Sequence, residues 1–230
     1  GASGRAKSFR KALSKMMEVT NKLRDLDVLL EREPVYRTAL DKSLDGGIDA
    51  CFKLVGKKRA KEFARVRDAL ASGKFDSLLA RWESDISGEA SDLMPPLDGA
   101  ELAALVARKT RKVSAMCRDY ALFPSDKSLH KLRIQVKKLR YLIDAVGPSA
   151  SFADAAALKD MQALLGGQND LKMEARLFER LMKKTDSQKE SGAVLDALLA
   201  MEEVVSKEKA ELLTKIIPAL KNFAALPVSA

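Results

Sequence analysis

A chain of 230 residues and 25.2 kDa is long enough to bury a sizeable core, and its 47% apolar content excludes a disordered tail. Aromatic residues make up only 5%, while Ala, Leu, Lys and Glu abound, so helices are favoured over strands. A net charge of +9 favours a polyanionic partner, and two cysteines with a single histidine exclude the usual Cys/His zinc sites and a disulfide framework.

Along the chain, apolar residues recur at three- and four-residue steps from Phe9 through Leu13, Met16, Leu23, Leu26 and Leu30, predicting a helix that ends before Pro34. Shorter helices follow at 35–44 and 48–71, separated by Gly46-Gly47, and another runs from Phe75 to Ile86 with Trp82. Ser87 to Gly99, with Gly88, Pro95 and Pro96, reads as a linker, with the boundary set at 91–99. Helices are then expected at 100–122, 126–146, 152–184 and 189–224. Ser125 and Asp126 are N-cap residues, Gly147-Pro148 is a stop, and Pro218 should kink or end the last helix. Nothing alternates as a strand would. Cys51, Cys117 and the methionines read as core fillers. No apolar run approaches the ~20 residues that span a bilayer, and Gly1 to Arg10 lacks a signal-peptide core, so the expectation is a soluble cytoplasmic protein.

The charge is unevenly spread. Residues 1–75 carry net +8, residues 76–103 net −6, residues 104–145 net +8 and residues 146–230 net −1. Two basic blocks thus flank an acidic connector. A weak internal repeat overlies this pattern: LRDLDVLLE at 23–31 resembles QNDLKMEARLFE at 168–179, an offset of 145. A duplicated chain would need a counterpart of the 126–146 helix about 145 residues earlier, before Gly1. The first helix of the first half is therefore expected to be missing from the sequence.

The segment Leu129 to Ile143 is the most informative. At about 100° per residue, His130, Arg133, Lys137 and Arg140 fall on one stripe, at roughly 0°, 300°, 340° and 280°. Leu132, Val136, Leu139 and Ile143 form the apolar face beside it, and Lys131 and Lys138 lie on the other flank. Like charges at these spacings repel by about 0.2–0.5 kcal/mol per pair, and no acid is placed among them. An anion lying along the ladder would reverse that sign. The bland alternative is a solvated basic face.

HKLRIQVKKLRY at 130–141 resembles the signature of the CHAD family, the conserved-histidine α-helical domain. Leu158 to Leu171, with the run LLGGQNDL, resembles the helix that follows it there, and 23–31 resembles the matching segment of the family's first half. The resemblance covers nearly the whole chain. It implies an all-α domain of two pseudo-symmetric four-helix bundles that binds inorganic polyphosphate without chemistry. Carried over to this sequence, the phosphate ligands would be His130, Arg133, Lys137, Lys138 and Arg140. On this reading 1–90 is the incomplete first half and 100–230 the second, in one domain. The resemblance also implies association with polyphosphate granules or with a triphosphate-processing enzyme.

Further basic residues could extend the groove or be a solvated face: 57–67, with Lys57, Lys58, Lys61 and Arg65, then Arg108, Lys109, Arg111 and Lys112. Arg24 is counted with Arg108, Arg111 and Lys112 among the polyphosphate-binding residues, with an acidic neighbour to hold it in place. Asp25, Asp27 and Asp170 invite a metal reading, but an Asp on such a bundle more often orients an Arg, and Arg24 and Arg140 are the candidates. Gly166-Gly167 allows close helix approach or a local break and is no phosphate loop, since no Lys-Ser/Thr follows. Nucleic-acid binding is the weaker alternative: the charge permits it, but no helix-turn-helix spacing, zinc site or aromatic-rich RNA motif is present. An enzyme is weaker still, with no P-loop and no nucleophile–base pairing around the lone His. No catalytic residue, metal or cofactor is expected.

Overall fold

The computed structural model describes residues 2–87, 98–147, 155–187 and 192–226. Within them the chain is helical: α1 (Ala2–Glu31), α2 (Glu33–Ala39), a short 3-10 helix (Lys42–Leu44), α3 (Asp45–Leu70), α4 (Lys74–Ser87), α5 (Gly99–Leu122), α6 (Asp126–Val146), α7 (Ala155–Ser187) and α8 (Gly192–Ala225). No strand occurs among the described residues, as the composition requires. No helix among them is long and apolar enough to cross a membrane.

Two compact units emerge. One takes residues 1–96 with 176–204, the other 97–175 with 205–230, so α7 and α8 each contribute to both. The second unit has one core drawn from four helices: Val113, Cys117 and Tyr120 of α5, Leu132, Val136 and Leu139 of α6, Leu158, Met161 and Leu165 of α7, and Ile216, Leu220 and Phe223 of α8. These residues recur at three- and four-residue steps, which places them on one face of each helix. The Cys117 thiol lies 4.0 Å from the Met161 sulfur, two soft groups filling one gap.

In the first unit Tyr36 is the centre. It is buried, its ring 5.8 Å from Phe178 edge-on and 6.2 Å from Phe52. Arg37 beside it ion-pairs with Glu33, Asp45 and Asp49, tying α2 to the start of α3. Glu62 of α3 is buried and accepts from Lys22 of α1 and from Arg65 at 2.7 Å. Lys22 first, then Arg65, holds that carboxyl below its ordinary range.

Several sequence expectations are corrected here. Gly46-Gly47 does not separate two helices; both lie in the first turn of α3, and the break falls earlier, where Asp41 accepts from the Ser43 amide at 2.8 Å. Gly47 is a glycine because the backbone of α8 passes close by. A Cβ there would overlap the Ala193 carbonyl oxygen and sit 2.8 Å from Ala197 Cβ. Gly167 is similar but looser, its Cβ position 3.3 Å from Leu212, and α7 runs through Gly166-Gly167 unbroken. Pro218 does not end α8, which continues to Ala225. The buried Ile216, Leu220 and Phe223 anchor the helix on either side of it, and the carbonyl it leaves unpaired belongs to exposed Thr214, within reach of water. The first helix begins at Ala2 rather than Phe9, and Met17 is 59% exposed rather than core. Of the linker expected at 91–99, only Asp98 and Gly99 are described, as the cap and first residue of α5; the expected helix starts at 152 and 189 also lie outside the described residues.

Two outcomes follow from this packing. Gly47→Ala should lose about 1–3 kcal/mol in a denaturant melt, because the neighbour it meets is backbone. Gly46→Ala, which meets nothing within 4 Å, should be neutral or gain up to ~1 kcal/mol. Burial pushes the Cys51 and Cys117 thiols up to about 12. Neither should react with a disulfide reagent at pH 8 until the protein is unfolded, when both should.

Candidate functional site

Helix α6 carries the ladder, and its ends are fixed by local chemistry. The Ser125 hydroxyl accepts from the Ser128 amide at 3.2 Å, and Ser128 Oγ accepts in turn from the Ser125 amide, also at 3.2 Å. At the other end Gly147 takes φ +70, a conformation that suits glycine, and closes the last turn onto Ile143. Between them Leu129, Leu132, Val136 and Leu139 are buried. The side chains beside that face are therefore fixed at the core margin: Arg133, Lys137 and Arg140 are half-buried, and His130 and Lys138 are exposed. The stripe expected from the sequence is present on one helix.

Among the described residues, His130, Arg133, Lys137 and Lys138 have no ion-pair partner. Arg140 differs. Its Nε donates to Asp144 Oδ2 at 3.2 Å, one turn further on, so the expectation of an acid-free row fails at its last member. The reason is the i,i+4 spacing, which brings a carboxylate onto the end of the stripe. Arg140 is thus not held by Asp170, which accepts instead from Asn169 at 3.5 Å. At the start of the helix Asp126 pairs with Lys172 of α7 at 2.6 Å.

Tyr141 was not singled out in the sequence, though it sits on the stripe at about 20°, between His130 and the basic flank. Its ring is 51% exposed, with Lys137 Nζ 5.5 Å and Arg140 Cζ 5.7 Å from its centroid. The i,i+4 offset from Lys137 is the signal that could have found it; for Asp144 it is the same offset from Arg140.

The remaining candidates are dispersed. Arg108, Arg111 and Lys112 are exposed on α5, which packs antiparallel to α6 through the short Phe123–Ser125 connection. Arg111 and Lys137 stand at equal distances in sequence from the Leu122 and Asp126 ends of that hairpin, so they share an axial level. Arg24 is exposed on α1, in the other unit. The 57–67 cluster is partly spent: Arg59 donates to Asp27 at 2.8 Å, Arg65 pairs with Glu62, and Arg67 pairs with Asp68 at 2.9 Å. Asp27 does orient an arginine, but that arginine is Arg59 rather than Arg24.

No curated protein matches the chain. The family model of the CHAD domain matches residues 2–179, which includes the whole of α6 and its cationic stripe. This chain belongs to the CHAD domain family.

Proposed function

We propose that this chain binds inorganic polyphosphate along α6 and performs no chemistry on it. One contrast carries the reading. Several cations of the first unit are matched with acids, as in Arg37 among three carboxylates, Arg59 with Asp27, and Lys22 and Arg65 around Glu62. On the α6 stripe His130, Arg133 and Lys137 are left without carboxylates among the described residues, although the repulsion between Arg133 and Lys137 is unfavourable. A linear polyanion supplies the missing charge. Arginine takes phosphate oxygens two at a time, lysine acts as a compact charge, and histidine adds a donor.

The spacing fits a string rather than a single ion: from His130 to Arg140 the stripe is about 15 Å long at ~1.5 Å per residue. Lys138 stands on its flank, and Arg108, Arg111 and Lys112 on α5 offer further cations over the same axial stretch. The non-catalytic reading is supported by the thiols, which are buried and protonated, so neither is a nucleophile. We also read the chain as two related four-helix units, with Leu26 and Leu171, matched in the internal repeat, buried in both cases.

The test is a salt titration of long-chain polyphosphate binding. The triple variant Arg133→Ala, Lys137→Ala, Arg140→Ala should bind at least roughly tenfold more weakly at 0.1 M salt, with the slope of log affinity against log salt reduced by about 2. Unchanged affinity and slope would leave α6 a solvated face. An oligonucleotide arm separates the weaker alternative, since polyphosphate should displace it at far lower phosphate concentration than the reverse. Phosphate release by the purified chain with Mg²⁺ would overturn the non-catalytic part.

A further inference from the structure

We propose that Tyr141 is a positioning residue of the ladder, its ring holding the head groups of Lys137 and Arg140 in place before a ligand arrives. This rests on the polyphosphate reading above. Both cations lie within the ~6 Å at which a ring's negative quadrupole attracts a charge, at 5.5 and 5.7 Å from the centroid. Two like charges drawn to one ring repel each other, and attraction to the ring offsets that repulsion.

Tyr141 is half in solvent, so filling the core does not account for it. Asp144 engages Arg140 through Nε, and among the described residues no hydrogen bond occupies the two terminal guanidinium nitrogens. The guanidinium is thus steered by the ring and the carboxylate while keeping donors for phosphate. Lys137, on a flexible four-carbon stem, has only the ring to restrain it; without that restraint it would lose rotamer freedom on binding. Neither cation–ring contact needs the phenolic hydroxyl, so the ring itself is the functional part.

The experiment measures long-chain polyphosphate affinity over a salt series for the full chain and for Tyr141→Phe and Tyr141→Leu. Tyr141→Leu should bind about three- to tenfold more weakly, with the salt slope unchanged because no cation has been removed. Tyr141→Phe should stay within about twofold of the parent, since it keeps the ring face. Tyr141→Gln carries the same expectation as leucine and covers the case in which leucine perturbs folding. Equal or tighter binding by the ring-less variants would overturn the proposal, as would a phenylalanine variant as weak as leucine. A parent chain that binds no polyphosphate would instead fail the underlying reading, and so the two failures are told apart.

Discussion

The second unit depends on hydrophobic burial holding together a helix whose own surface charges oppose it. Leu132, Val136 and Leu139 are fully buried on one face of α6, each contributing about 1.5–3 kcal/mol. Repulsion among Arg133, Lys137 and Arg140 costs about 0.2–0.5 kcal/mol per neighbouring pair. The core term is several times larger. A charge pattern unsuited to an isolated helix is therefore tolerated, and it stays rigid because the core fixes the register of every side chain beside it.

The first unit handles charge in the opposite way. Its acids and bases are used to join elements: α2 to α3 through Arg37, α1 to α3 through Lys22 with Glu62 and through Asp27 with Arg59. The pairs of Arg37 and Arg59 reach solvent and contribute little to stability, whereas Glu62 is buried and needs its partners to offset its desolvation. Their meaning is that these cations are already satisfied. The net charge of +8 over residues 1–75 already subtracts these acids; what the pairing shows is which cations are engaged, Arg59, Arg65 and Arg67 of the 57–67 cluster among them.

Helices α5 and α6 were legible to within a residue because each carries its own cap: Asp98 with Glu101 and Ser125 with Ser128 at the starts, Gly147 at one end. The cationic stripe was legible for a related reason, since periodicity within one helix needs no tertiary information. What depended on a distant segment was not legible. Gly47 looked like a break because its partner, Ala193 on α8, is far away in sequence. For Pro218 the sequence left a kink or an end open, and the buried residues that carry α8 through it belong to a core shared with three other helices. The pairing of Arg59 was not legible because its acid, Asp27, lies on another helix. Asp144 and Tyr141 are different: each stands at i+4 from a cation of the stripe, a spacing present in the sequence itself.

The acids at the two ends of α6 define where the unpaired charge lies. Asp126 and Asp144 both fall at about 320° on the helix, in line with the stripe they enclose. Asp126 sits in the first turn, where the helix dipole favours a carboxylate, and it also meets Lys172. Asp144 sits near the C-terminus, where the dipole opposes it by about 0.3–1 kcal/mol, so the dipole does not explain it. Its contact with Arg140 does: the carboxylate offsets one end of the repelling row and orients a guanidinium that the Tyr141 ring also restrains. The cations of the stripe that lack a carboxylate among the described residues are then its interior ones, Arg133 and Lys137, about 6 Å apart along the axis. On the proposed reading a polyanion would meet unpaired cations there, with Arg140 as an end contact oriented by Asp144 and the Tyr141 ring rather than as another free cation.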